Sequence, residues 1–168
     1  MIINTSLLQW QGTLRQLEMW SSVVDYERVA GRGPQQVQAL ISSIEYLVLR
    51  LTSAVHIREQ AYETLDESVR EQLTQVYDSC IHSLQHIADS LAQQQMIPES
   101  PGLLDSNKLL YEIENRGIAD NQAAPPEREA LASLLLATAQ LRRWIEAIQD
   151  CQDKTNAIDW KAWNRNNL

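Results

Sequence analysis

Phenylalanine is absent from the chain, and glycine and proline number only five each in 168 residues. So few chain-reversal residues argue against a many-turned all-β fold, which needs turn signals every ~8–12 residues. Cysteine is limited to Cys80 and Cys151, far apart and at no metal-binding spacing. Neither a disulfide framework nor a zinc ribbon is encoded, and both residues are expected as reduced thiols, as in a cytoplasmic setting. Positive charge is in deficit, with 14 Lys and Arg against 22 Asp and Glu and a net charge of −8. That balance weighs against a surface that grips nucleic acid or anionic lipid without regard to sequence, because both require a basic face. No apolar run approaches the ~20 residues of a membrane span. Met1-Ile2-Ile3 gives way at once to Asn4, Thr5 and Ser6, which is not the pattern of a signal peptide. The abrupt start suits a domain excised from a longer polypeptide.

What is present favours helix. Apolar residues make up 44% of the chain, and Leu, Ala, Gln and Glu, all good helix formers, are plentiful. The length suits one domain able to bury a core without disulfide or metal. Apolar side chains recur at i, i+3, i+4 and i+7 almost from end to end. The pattern predicts an all-α antiparallel bundle of about five helices, over about 6–30, 34–65, 66–95, 105–116 and 126–153, with a tail over 154–168.

The first helix carries Leu7, Trp10, Leu14, Leu17 and Val24 and ends at Gly31-Arg32-Gly33. This glycine pair lacks the Lys-Ser/Thr ending and the preceding strand of a phosphate loop, so it reads as a helix–helix turn. The second carries Val37, Leu40, Ile41, Ile44, Leu47, Val48, Leu51, Val55 and Tyr62 on one side. Tyr46, Leu49 and Ile57 lie on the other side. A helix apolar on two sides must be covered on two sides, so this one is expected at the centre of the bundle. The third, with Asp66 as its cap or a kink, carries Val69, Leu73, Val76, Cys80, Leu84, Ile87 and Leu91 at coiled-coil-like spacing. It is expected to run antiparallel to the second. Ile97-Pro98-Glu99-Ser100-Pro101-Gly102 is the strongest break. A short helix follows, stopped by Gly117, with a polar loop from Ile118 to Pro125. The last helix turns Leu131, Leu134, Leu135, Leu141, Ile145 and Ile148 inward, and Trp144 and Cys151 widen that face.

Chemistry is hard to find in this pattern. His82 and His86 stand one helical turn apart, as two metal ligands on a helix would. They project away from Cys80 and Leu84, no Glu follows His82, and no third ligand is evident, so they are read as solvated surface histidines. His56 is read as structural. No Glu-x-x-His pair points to a di-iron bundle, and no Gly-x-Ser-x-Gly elbow supplies a serine nucleophile. Glu45, Arg50, Arg58, Arg142 and Arg143 flank the stripes as solvated edges. The adjacent arginines Arg142 and Arg143 diverge by ~100° on a helix and make a poor joint clamp. No enzyme activity, cofactor or metal is therefore expected. Of the five tryptophans, Trp10, Trp20 and Trp144 lie on or beside stripes. Trp160 and Trp163 sit in the polar tail, where they either fold back as a lid on the bundle end or dock on a partner. These two are the candidate interface residues.

Two stretches carry a family resemblance. Leu40-Ile41-Ser42-Ser43-Ile44-Glu45-Tyr46-Leu47-Val48-Leu49-Arg50-Leu51 resembles the Leu- and Arg-rich helix in soluble parts of bacterial fusaric-acid-resistance-like (FUSC), or aromatic acid exporter-like, inner-membrane proteins. Ile158-Asp159-Trp160-Lys161-Ala162-Trp163 is similar to the Asp-Trp ending that some of those chains carry. The resemblance implies a cytoplasmic helical domain at the inner membrane, regulating or assembling an efflux-type transporter. Its partner would be the membrane part of the same polypeptide or a second copy, and no catalytic residue is carried over. Two other readings belong to different classes. One is a free-standing cytosolic adaptor that binds a partner helix in a groove. The other is a small-molecule-binding bundle or a cryptic enzyme, which requires a polar-lined pocket that neither the stripes nor the charges suggest.

Overall fold

The computed structural model describes residues 35–53, 65–96, 102–123 and 128–161, together with Gly12, Thr13, Arg15, Gln16, Met19 and Trp20. The described part is all-helical, with four helices and no strand: α1 (Gln35–Ser53), α2 (Glu67–Gln93), α3 (Gly102–Ala123) and α4 (Arg128–Asn156).

Among the described helices, α4 has the most neighbours. Helix α4 packs against α1, α2 and α3, while α2 and α3 also pack against each other. At 29 residues it is about 44 Å long, enough to run the length of each neighbour. Its buried side chains Leu134, Ala137, Thr138, Leu141, Trp144, Ile145, Ala147, Ile148, Cys151, Gln152 and Thr155 form one broad face, while Leu135, Leu136, Arg143, Glu146 and Asp150 on the opposite side are exposed. A helix that meets three neighbours needs such a wide apolar face.

Helix α1, expected to be apolar and covered on two sides, is covered on one side over residues 39–50. Leu40, Ile41, Ile44 and Leu47 are buried, while Tyr46 is 48% and Leu49 67% exposed. The error lies in reading apolarity on the second flank as burial. That flank also carries Ser42 and Glu45, both exposed, and a Tyr or Leu set among polar neighbours is ordinary surface. The far end of the predicted helix lies outside the described residues, as does most of the first helix.

Helix α2 follows its predicted stripe closely. Leu73, Val76, Cys80, Leu84, Ile87 and Leu91 are all buried. Asp66 occupies the N-cap position, but its side chain makes no capping bond; the backbone amide of Arg70 donates to its carbonyl instead, at 2.9 Å. At the other end Gln94 adopts the left-handed conformation, φ 53° and ψ 48°, and donates its amide to the Ser90 carbonyl. This is the helix-ending geometry usually given to glycine or asparagine.

Helix α3 departs most from its predicted limits, extending three residues earlier than 105 and running through Gly117 to Ala123. A glycine inside a helix costs about 1 kcal/mol relative to alanine. Here the missing side chain makes room. A Cβ at position 117 would collide with Leu134 of α4 and would also reach Leu131. The helix does not stop at this glycine, which instead seats the end of the Leu134 side chain. Helix α4 likewise runs past 153 to Asn156, where Thr155 closes the last turn by donating to the Cys151 carbonyl at 2.8 Å.

Candidate functional site

Where α1 and α4 meet, a groove of about 420 Å³ is lined by Tyr46, Arg50, Arg143, Glu146, Ala147 and Asp150. Its walls are one stripe of each helix: positions 46 and 50 on α1, and positions 143, 146, 147 and 150 on α4, at the i, i+3, i+4, i+7 spacing that shares a face. Its floor is fastened by a long-range bond, the Ser43 hydroxyl donating to Asp150 Oδ2 at 2.7 Å. Lys154 Nζ reaches the same oxygen at 2.8 Å. Burial pushes the Asp150 carboxyl up, but the hydrogen bonds from Lys154 and Ser43 and the charge of Lys154 outweigh it and hold the group below its ordinary value. On the opposite wall Arg50 Nε donates to the Tyr46 hydroxyl at 2.8 Å, and its guanidinium carbon lies 5.1 Å from the centre of that ring. The groove thus balances two guanidiniums with two carboxylates. It can receive a polar or zwitterionic group or a partner's side chain. It aligns no nucleophile with a base.

The cysteines are equally quiet. Cys80 and Cys151 are free and buried, and burial pushes each thiol up to about 12. A thiol with that value is protonated at neutral pH and is a poor nucleophile and metal ligand.

A second cavity, of about 310 Å³, lies where the N-terminal segment meets α2, lined by Gly12, Thr13, Gln16, Ile81, His82 and Gln85. The buried Thr13 donates its hydroxyl to Gln85 Oε1 at 3.0 Å, tying the segment to α2. His82 and His86 are both exposed. Their rings approach each other with centroids 5.2 Å apart at an interplanar angle of 61°. Among the described residues no group of three or more His, Cys, Asp or Glu side chains could hold a metal ion.

The two tail tryptophans have different fates. Trp160 is buried, 6% exposed, and joins the core together with Ile158. The end of the tail is folded by the Trp160 amide donating to the Ile158 carbonyl at 3.0 Å. Its indole Nε1 is buried and meets no acceptor among the described residues. Trp163 lies outside the described residues, as do Trp10, His56 and Arg58. Trp20 is half-buried against the core, and Trp144 is buried with its ring edge-on to Tyr77 at 5.2 Å. Arg142 turns inward to Glu114 at 2.7 Å while Arg143 faces the α1 groove, so the adjacent arginines diverge as a helix requires.

Sequence reasoning missed one surface feature. Leu104, Tyr111 and Ile118 of α3 are 63%, 63% and 40% exposed. They recur every seven residues, so they form one outward row along the helix. The signal was present, but it was hidden by ending the helix at Gly117. Among the described residues no helix is long and apolar enough to cross a membrane. Comparison with family models, with curated proteins and with solved structures gives no match.

Proposed function

We propose that this chain is a non-catalytic interaction domain, the regulatory or assembly part of an inner-membrane efflux-type protein, working at the cytoplasmic face. In this reading the N-terminal segment completes an antiparallel bundle of about five helices. The partner is the membrane part of the same polypeptide, with a second copy as the other expected contact. The observation that carries the reading is the row Leu104, Tyr111 and Ile118, three large apolar side chains left in solvent on one face of a helix whose other face is fully used. Rows of this kind are where helices dock on partners. The resemblance of residues 40–51 and 158–163 to soluble parts of fusaric-acid-resistance-like proteins supplies the membrane setting.

A photo-crosslinking residue placed at position 111 of the native polypeptide tests the reading. The expected result is a crosslink to an inner-membrane segment, lost when Leu104 and Ile118 are changed to Glu. Recovery of the uncrosslinked polypeptide entirely from the soluble fraction overturns it. The same row favours a second reading, a free-standing adaptor that receives a partner helix. A crosslink to a soluble protein, with no membrane association, selects that one.

A further inference from the structure

The histidine pair on the outer face of α2 has the spacing of two metal ligands on one helix. Consecutive turns of a helix bring positions i and i+4 within reach, and the His82 and His86 rings stand with centroids 5.2 Å apart. A tetrahedral zinc ion holds each imidazole nitrogen at about 2.0–2.1 Å, so two ligating rings have centroids roughly 5.2 Å apart once the ~1.2 Å from nitrogen to ring centre is added. The rings of this chain already have the separation that shared ligation requires.

We propose that His82 and His86 form a two-point binding site for a divalent late transition metal ion, of the zinc, nickel and copper class that imidazole favours. The observations are independent of the groove and of the α3 row. Both rings are exposed and open to an ion arriving from solvent. The helix beneath them is fixed, because Ser83, Leu84, Ile87 and Ala88 between and beside them are buried. Thr13 bonds Gln85 in the turn that separates the two histidines, so the cavity wall restrains the same stretch. Two protein ligands leave the remaining coordination positions to water or to a small anionic or imidazole-bearing group. The site is therefore a capture or docking point and not a closed structural centre. Neutral imidazole is the ligand, so protons compete with the metal.

The test is titration of the full chain with zinc, nickel and copper ions separately, in a non-coordinating buffer near neutral pH, with H82A and H86A alongside. One equivalent is expected to bind the folded chain, with affinity falling about tenfold or more in either variant. Binding to the native state alone is expected to raise the thermal midpoint of the wild type, with no rise in the variants. Circular dichroism of the metal-free variants keeps folding out of the comparison, since both changes are at exposed positions. Wild-type affinity no greater than that of H82A and H86A, or an equal thermal shift in all three, overturns the site.

Discussion

Single residues decide how the ends of this bundle are closed. Trp160 closes one end by inserting a large ring into the core while stranding its N–H away from any described acceptor. The ring area favours burial, and the orphaned donor opposes it by about 1–3 kcal/mol. Replacing Trp160 with Phe keeps most of the ring and removes the donor. That variant is expected to match or exceed the wild type in urea, while Trp160→Ala loses about 3 kcal/mol. A Trp160→Ala midpoint within error of the wild type would show that the ring closes nothing. Gln94 illustrates the opposite case, a non-glycine residue held left-handed where α2 ends. The turn there is closed by backbone bonds, since the Ser90 carbonyl accepts from both the Gln94 and the Gln95 amides.

At the level of elements, α3 and α4 are joined by packing and by charge. Glu114 and Arg142 meet at 2.7 Å, with the carboxylate side chain 14% and the guanidinium side chain 35% exposed. Burial pushes the Glu114 carboxyl up, but the bonds from Arg142 and Thr138 and the Arg142 charge prevail and hold it below its ordinary 4.5. A carboxyl with a lowered folded-state value stabilises the fold above its unfolded value, and that contribution disappears as pH falls through the folded value. Glu114→Gln is therefore expected to cost about 1 kcal/mol at pH 7, after allowance for solvent at the guanidinium. The gap between variant and wild type should close as the solution is acidified below 4.5. A gap that persists into strong acid would mean that packing, not charge, joins the pair there. The same scale separates the covered face of an element from its open one. Ile148 of α4 is fully buried, whereas Leu49 of α1 is 67% exposed. Ile148→Ala should cost about 2–5 kcal/mol and Leu49→Ala less than about 0.5. Equal effects in chemical denaturation would show that the outer side of α1 is covered after all.

Over the whole molecule, stability and reactivity are one question. Cys80 and Cys151 are both fully buried, one in α2 and one in α4, and burial raises both thiols to about 12. An alkylating reagent should reach them only through opening of the bundle. Labelling rates at neutral pH are thus expected to fall well below those of a free thiol and to rise with denaturant in parallel for the two residues. Fast labelling of one cysteine in native buffer would reveal a locally open element. Net charge of −8 acts at this scale too: it disfavours close self-association through long-range repulsion, so contact between copies should strengthen with salt.

The amino-acid sequence by itself determined that the described residues are helical, where α2 lies, and which of its side chains face inward. Those features follow from a local rule, the recurrence of apolar residues on one side of a 3.6-residue period, and no distant contact is needed to read it. It also placed Cys80, Trp144 and Cys151 in the interior. It did not determine which apolar faces would be covered. Both α1 and α4 carry apolar residues on more than one side, and in each the second side, with Leu49 of α1 and Leu136 of α4, lies in solvent, because burial is settled by what packs opposite a face. Gly117 shows the same limit. A glycine reads locally as a stop, but the close passage of Leu134 makes it a contact. The groove at Asp150 depends on Ser43, 107 residues away, and no local pattern encodes a bond of that span.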